Sequence, residues 1–471
     1  MTEKSSSKVG QFAFRLPRVR ALRLIFRIPR PTNPLSSSLL LAYSFAALII
    51  LGALLLMLPV SSTSGDITHP VDALFTATSA VCVTGLVVVD TGTHWSGFGQ
   101  GVLLVLFQIG GLGYIVGATL LLFAIGGRFG LKERLTLSES MGVDRLGGAL
   151  GIVTKITVFA LLTEAIGAVI LYLYFASTGD TDSPLWVAVF HAISAFNNCG
   201  MDIFGNFNSL SAYNSDAVVL LVTILLIVIG STGYVVFTDV IRKRNFVKLA
   251  FESKIVLVTT GSLLALGLLF YLIAEFSNQD TLGQVPFFQK ILGALFLSTS
   301  TRTAGFSSFD IGELSQISLF FTMFLMCIGG ASGSTAGGTK VNTLGVIVLT
   351  IISVIRGKDN VEAFGRQLNR QTIYRALTLL LLYLASVGII VAILTITEEF
   401  PFDNILFETF SAMSTVGLST GITPDLSMAG RVFIVLAMFI GRLGPLALMA
   451  LLVHRKQPTA LEYPYESIRL G

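Results

Sequence analysis

"PVDALFTATSAVCVTGL", residues 70–86, starts on a proline, carries a single charge and closes on a glycine and a leucine. Proline suits the first position of a helix, where its missing N–H would be unpaired in any case. Three further segments follow the same plan: "PLWVAVFHAISAFNNCGM" (184–201), "PFFQKILGALFLSTSTRTAGF" (286–306) and "PFDNILFETFSAMSTVGL" (401–418). Each runs as a short apolar stretch to a Ser or Thr (Ser79, Ser194, Thr299, Ser411) six residues before a glycine (Gly85, Gly200, Gly305, Gly417). The glycines stand 115, 105 and 112 residues apart, so one unit repeated four times takes up nearly the whole chain.

Composition says where these units reside. The 471 residues are 53% hydrophobic and 12% charged, about half the charged share of a soluble domain. Apolar runs near 39–58, 102–125, 152–175, 218–240, 255–273, 317–352, 373–396 and 432–453 are long enough to cross a hydrocarbon core of about 30 Å. Eight spans are predicted, with both termini on the cytoplasmic side. Of 31 Lys and Arg residues, 26 then fall in the two tails and in the loops 128–155, 242–254 and 356–375, as the positive-inside rule requires. The basic balance is therefore a topology signal and does not indicate a nucleic-acid partner. The arginine-rich segment before the first span reads as an interfacial cytoplasmic helix. Cys82, Cys199 and Cys327 have no ligand-type spacing and read as packing residues.

A helix of 10 to 13 residues reaches only about 15 to 20 Å, too short to cross, so each proline-started segment enters and turns back. Irregular backbone at that depth must be buried in protein or line water. Four such half-helices around one axis aim their negative dipole ends, and the carbonyls preceding each glycine, at a central cation. Glycine leaves the narrow path free of side chains and adopts angles closed to other residues.

The sixth apolar run contains "CIGGASGSTAGGTKV", residues 327–341. From Gln316 to Val354 a continuous helix would be about 58 Å long, roughly twice the hydrocarbon thickness. The glycines break it, and Ser332, Ser334, Thr335 and Thr339 offer hydroxyls to the freed backbone groups. The spacing of Gly333 and Gly338 mimics a phosphate-binding loop, but Thr339 stands where Lys is needed and no strand precedes it. Lys340 and Arg442 are charged inside spans, which costs about 2.5 to 3.5 kcal/mol each at the bilayer centre. Arg442 is read as bonding the loop carbonyls, and Lys340 as a positive charge near the ion path. Arg302 is read as bracing the third segment through Glu408, and His191 as a packing residue.

At these residues the chain resembles the Trk/Ktr/HKT superfamily of potassium transporters, and most closely its Ktr-type membrane subunit. The resemblance covers about residues 38–471. It rests on "SAVCVTGL", "SAFNNCGM", "STRTAGF", "STVGL", "GGASGSTAGGTK" and "GRLGPLALMALL". It implies an all-α polytopic membrane protein of four outer helix, re-entrant pore helix, inner helix repeats around one pore. Eight spans favour the Ktr type, since Trk-type subunits carry two more. The implied filter is Val83, Thr84 and Gly85; Asn198, Cys199 and Gly200; Thr303, Ala304 and Gly305; and Thr415, Val416 and Gly417, with K+ on the backbone carbonyls. The implied gate is Gly329, Gly330, Gly333, Ser334, Thr335, Gly337, Gly338, Lys340 and Arg442. Glycine at all four filter positions is the family pattern of potassium-selective members. The resemblance also implies a homodimer on a cytosolic RCK-type ring that binds ATP or ADP. It implies a site in the bacterial cytoplasmic membrane among lipids, and no covalently bound cofactor. Na+ is a second candidate ion.

The resulting divisions are a basic tail (1–37), repeat 1 (38–127), repeat 2 (128–241), repeat 3 (242–355) with a gate loop at 329–340, repeat 4 (356–454) and a cytoplasmic tail (455–471). The alternative is a sodium- or proton-coupled potassium symporter of Trk type, for which Glu164 and Asp239 are the ionisable candidates. A membrane enzyme would need clustered carboxylates, histidines or a nucleophile-base pair, and the four histidines are scattered without a motif.

Overall fold

Helices dominate the computed structural model, which describes residues 34–112 and 149–444, with side chains from 42 and 153 onward in those stretches. A long helix, a short helix and a third helix follow one another four times. The first set is Pro34–Leu56, Pro70–Cys82 and Gly97–Gly111, and the second is Ala149–Thr178, Pro184–Phe196 and Ala217–Thr232. The third is Phe251–Ala274, Phe287–Ser300 and Gln316–Met326, and the fourth is Arg370–Thr397, Phe402–Ser414 and Met428–Leu443. The long, short and third members are called outer, pore and inner helices below.

Three outer helices, Val153–Thr178, Phe251–Ala274 and Arg370–Thr397, are each long and apolar enough to cross a membrane unaided. Their exposed faces carry Leu161, Ile166, Leu173, Leu269, Ile273, Leu381 and Ile389, so they are apolar towards the outside as well as the core. Helices hydrophobic all round belong in lipid. The protein is thus an all-α polytopic membrane protein. Parts of the second and eighth expected spans, the basic N-terminal segment, most of the 128–155 loop and the C-terminal tail lie outside the described residues.

Two inner helices are broken. In the second, Ala217–Thr232 meets Tyr234–Lys243 at 98° across Gly233, whose φ of 81° and ψ of 150° suit glycine alone. In the third, residues 327–340 separate Met326 from Val341–Ile355. Beyond that helix a small antiparallel hairpin, Glu362–Ala363 with Arg366–Gln367, packs Phe364 against Phe246 and Phe251.

Equivalent contacts recur between repeats. Glu275 and Glu398 each end an outer helix and accept from the backbone amide and hydroxyl of the serine before an inner helix, Ser315 and Ser427 respectively. A carboxylate at a helix N-terminus satisfies orphan N–H groups and complements the dipole. Three inner-helix glycines hold the pore helices at close range. A Cβ built on Gly110, Gly230 or Gly441 would lie 2.0, 2.0 and 2.1 Å from the carbonyl oxygens of Val81, Phe196 and Met413. Each of those carbonyls belongs to the residue four before Gly85, Gly200 or Gly417. Gly110→Ala or Gly441→Ala should therefore force backbone apart and lower stability by about 1 to 3 kcal/mol. Thermal unfolding of detergent-solubilised variants checks this, and an unchanged midpoint would refute the close-packing account.

Candidate ion-conducting site

Pro70 and Pro184 occupy the first turn of their pore helices, whereas Pro286 and Pro401 stand one residue outside, as extended residues before Phe287 and Phe402. Either placement spares proline an intrahelical bond it cannot make. At the far ends the four segments converge on one geometry. Val83, Asn198, Thr303 and Thr415 have φ of 56°, 58°, 71° and 52°, and the glycines two residues later have φ of 91°, 77°, 75° and 95°. Left-handed backbone is costly for β-branched Val and Thr and persists only where the surroundings enforce it.

The enforcing contacts come from a serine in each pore helix. The Gly85 amide donates to Ser79 Oγ at 3.0 Å, and the Gly417 amide to Ser411 Oγ at 3.1 Å. In the second repeat Ser194 instead donates to the Met201 carbonyl at 2.6 Å, and in the third Ser300 donates to the Phe306 carbonyl. Thr299, which matches Ser79, Ser194 and Ser411 by count, does not take part. Thr299 bonds back to Leu295 in its own helix, because the third segment is longer and its brace stands five residues before the glycine rather than six.

The four glycine strands close into a ring. A Cβ on Gly85 would meet the Cys199 carbonyl oxygen at 2.3 Å, and one on Gly200 that of Ala304 at 2.6 Å. The circuit continues from Gly305 to the Val416 oxygen at 2.2 Å, and from Gly417 back to the Thr84 oxygen at 2.1 Å. Each glycine is thus the close neighbour of the carbonyl that precedes the next glycine. All four line the same cavity of about 350 Å³, which Asp90, Asp202 and Asp310 also line. Asp90 joins the first two repeats, its two oxygens accepting from the Thr93 and Phe207 amides at 2.7 Å each.

Burial raises the Asp202 pKa to about 6, against the bonding of its carboxylate by the Phe204 amide. It is therefore charged above about pH 6 and neutral below. At subsaturating potassium, transport should fall about twofold as the external pH drops through 6, and the step should vanish in Asp202→Asn. A step that persists in that variant would place the titrating group elsewhere.

Residues 327–340 pack against the residues that precede the ring glycines and are not part of the cavity lining. The neck of the loop is closed by the Gly329 amide on the Thr339 carbonyl at 2.7 Å and the Val341 amide on the Gly330 carbonyl at 3.0 Å. Ser334 Oγ donates to Ala331, Thr339 Oγ1 to Cys327 and Lys340 Nζ to Ala336, all within the loop. Ser332 is exposed, and its amide is bonded to Asn342 Oδ1. Contacts then reach the second and fourth repeats. Thr335 Oγ1 lies 3.2 Å from the Phe196 carbonyl and 3.1 Å from Asn198 Oδ1. Gly337 sits so close to Thr415 that a Cβ would be 1.9 Å from Thr415 Oγ1. Gly338 faces the Ser414 carbonyl, and the exposed Gly333 forms a turn with φ of 73°.

Arg442 Nη1 donates to the Thr335 carbonyl at 2.7 Å, and Nη2 to the Gly110 carbonyl, so one guanidinium joins the fourth inner helix, the loop and the first inner helix. Arg302 bonds the Gly329 carbonyl at 3.4 Å rather than Glu408, whose carboxylate takes the Thr423 hydroxyl. The two charges belong to different neighbourhoods: Arg302 reaches the loop and Glu408 the outer connection of its own repeat. His191 is buried with its Nε2 at 2.9 Å from Thr223 Oγ1. Glu164 accepts from the side-chain amides of Gln108 and Asn197 at 3.0 to 3.1 Å, and Asp239 pairs with Lys243 at 2.7 Å. Gly110, Gly230, Gly441 and Ser300 were not singled out by the sequence. The signal of the three glycines, each facing the carbonyl four residues before Gly85, Gly200 or Gly417, becomes visible only with the repeats aligned in space.

Residues 35–460 match the family described as "TrkH: Cation transport protein". The chain is 39% identical to the potassium/sodium uptake protein NtpJ of Enterococcus hirae, over 94% of its own length and 99% of that protein. It is 41% identical to the Ktr system potassium uptake protein B of Bacillus subtilis, over 92% and 96%. Among solved structures, the potassium transporter TrkH from Vibrio parahaemolyticus shares the fold, with a TM-score of 0.71 at 18% identity over 91% of this chain and 86% of that one. By sequence over nearly its whole length and by fold, the chain belongs to the Trk/Ktr/HKT superfamily of potassium transport proteins, which are transporters and not enzymes.

Proposed function

We propose that this chain is the ion-translocating subunit of a bacterial potassium uptake system. Potassium passes from the acidic cavity through the ring of Gly85, Gly200, Gly305 and Gly417, with the carbonyls of Thr84, Cys199, Ala304 and Val416 as ligands. The 329–340 loop obstructs the exit and Arg442 holds it in place. The observation that carries this reading is the closed circuit in which each glycine abuts the next repeat's carbonyl. Four carbonyls at one level around an axis suit a partly dehydrated cation, and a single level supports only moderate selectivity.

In this reading the chain makes eight spans in four repeats, divided at about 127, 241 and 355, with both termini in the cytoplasm. It works as a homodimer on a cytosolic nucleotide-binding ring, ATP or ADP acting only through that partner. The relatives named for potassium, and for potassium and sodium, support K+ as the cargo and keep Na+ as a second ion. A coupled symporter is less well supported, since Glu164 and Asp239 are both engaged away from the ring. Potassium uptake by a transporter-deficient bacterium expressing this chain, with and without sodium, tests the proposal. Restored growth on low potassium is the expected result, and no uptake from well-expressed protein supplied with its partner refutes it.

A further inference from the structure

Glu164 is 3% exposed, and its hydrogen-bond partners among the described residues are two neutral amides. Gln108 Nε2 donates to both of its oxygens at 3.0 Å, and Asn197 Nδ2 to Oε1 at 3.1 Å. The same Nδ2 lies 2.6 Å from Gln108 Oε1 and 2.9 Å from the Ile193 carbonyl. The three side chains join the first inner helix, the second outer helix and the residue that closes the second pore helix. A carboxylate buried without a basic partner is costly, and one whose charge is used is the natural exception.

The bonds run in one direction. A carboxylate whose neighbours are all N–H donors is ionised and can only accept. Gln108 therefore turns its nitrogen to Glu164, which leaves its oxygen facing Asn197. Asn197 turns its nitrogen to that oxygen, and its own Oδ1 is left without a partner among the described residues. Turned over, Oδ1 would face three acceptors, Gln108 Oε1, Glu164 Oε1 and the Ile193 carbonyl. An amide's orientation is set by such a network, and here one charge sets two amides in series. Gly111 leaves room for the outcome, since a Cβ there would lie 2.2 Å from Asn197 Oδ1.

Asn197 stands three residues before Gly200 and beside Asn198, whose φ of 58° starts the left-handed turn. The same position is tied down in the fourth repeat, where Ser414 Oγ and Tyr383 Oη of the outer helix are 2.6 Å apart. In the third it is Arg302, bonded to the Gly329 carbonyl. We infer that Glu164 is a positioning residue for ion selection: its charge orders the Gln108 and Asn197 amides and so fixes the turn that presents the Cys199 carbonyl. This rests on the ring reading above. Glu164 touches no ion and acts only through Asn197. In Glu164→Gln either orientation of the new amide sets one donor against Gln108 Nε2, because that nitrogen bonds both oxygens. Turning Gln108 over passes the conflict on to Asn197.

The purified full chain in liposomes is assayed for competitive uptake of potassium and sodium, which reads the preference, and for maximal rubidium flux, which reads the working protein. Glu164→Gln should lower the potassium-over-sodium preference about three- to tenfold, the worth of one misplaced hydrogen bond, and leave maximal flux close to the parent's. Glu164→Gln combined with Gln108→Glu moves the carboxylate one step along the series. It again faces donors on both sides, and the parent's preference should return. A merely structural role predicts lower flux for both ions alike, an unchanged preference and no rescue. Unchanged preference in Glu164→Gln overturns the inference, and so does a loss that the exchanged pair does not restore. If that pair does not fold, Gly111→Ala carries the test, because its Cβ displaces the Asn197 amide with the charge in place. The same loss is expected there, and parent-like preference overturns the inference. Gly200→Ser separates the two levels: altered preference there with Glu164→Gln unchanged removes the role of Glu164 alone, and unaltered preference removes the ring reading as well.

Discussion

Gly305→Ser should lower potassium-over-sodium discrimination about ten- to hundredfold, and so should serine at Gly85, Gly200 or Gly417. The new Cβ of Gly305→Ser would meet the Val416 carbonyl oxygen at 2.2 Å and the Gly417 Cα at 3.2 Å. Both are backbone atoms with no flexible end to swing aside. The residue would also hold φ near 75°, a conformation about 1 to 2 kcal/mol unfavourable for an L side chain. The neighbouring strand therefore moves, and the atom displaced first is a carbonyl assigned to the ion. Loss of about 1.4 to 2.8 kcal/mol of differential coordination gives the stated range. The effect spreads to the next repeat, because each glycine guards its neighbour's ligand rather than its own. Competitive uptake of potassium and sodium measures it, and four variants with unchanged affinities for both ions would remove the filter assignment.

Deletion of residues 332–336 should raise unregulated flux tenfold or more while leaving the order of preference among alkali cations intact. The deletion takes away Thr335, and with it the contacts to Phe196, Asn198 and Arg442. It leaves the neck bonds between Gly329 and Thr339 and between Gly330 and Val341, so Val341–Ile355 keeps its start. Arg442→Ala should copy part of the effect. A hydrogen bond from a charged donor is worth about 1.5 to 3 kcal/mol, enough to change an open fraction about tenfold or more. If the loop were only a structural break, shortening it would shift the following helix and transport would fall. Rubidium flux in liposomes decides, and a folded deletion variant that conducts no faster contradicts the gate.

The half-helices were legible because proline and glycine punctuate them and the pattern repeats four times, so that weak single signals reinforce one another. The glycine loop was legible for a related reason: a run too long for one span and rich in glycine has to break. Arg442 stood out as a charge in a span, where a partner is required. Gly233 did not stand out, since one glycine in a long apolar run is ordinary and the 98° bend depends on the φ it adopts. The six-residue spacing that picks out Thr299 did not reveal that the bonding serine of the third segment is Ser300, one residue on. Pairing Arg302 with Glu408 followed charge alone, whereas burial beside the Gly329 carbonyl decides where the guanidinium goes. Gly110, Gly230 and Gly441 needed three dimensions, because their partners are carbonyls on other helices.

The central claim is that the ion passes through the glycine ring, and thallium, a heavy potassium mimic, tests it most directly. An anomalous difference map from crystals of the full chain grown with thallium should show a peak on the ring axis, equidistant from the carbonyl oxygens of Thr84, Cys199, Ala304 and Val416. Thallium bound only elsewhere, with that position empty, would contradict the account.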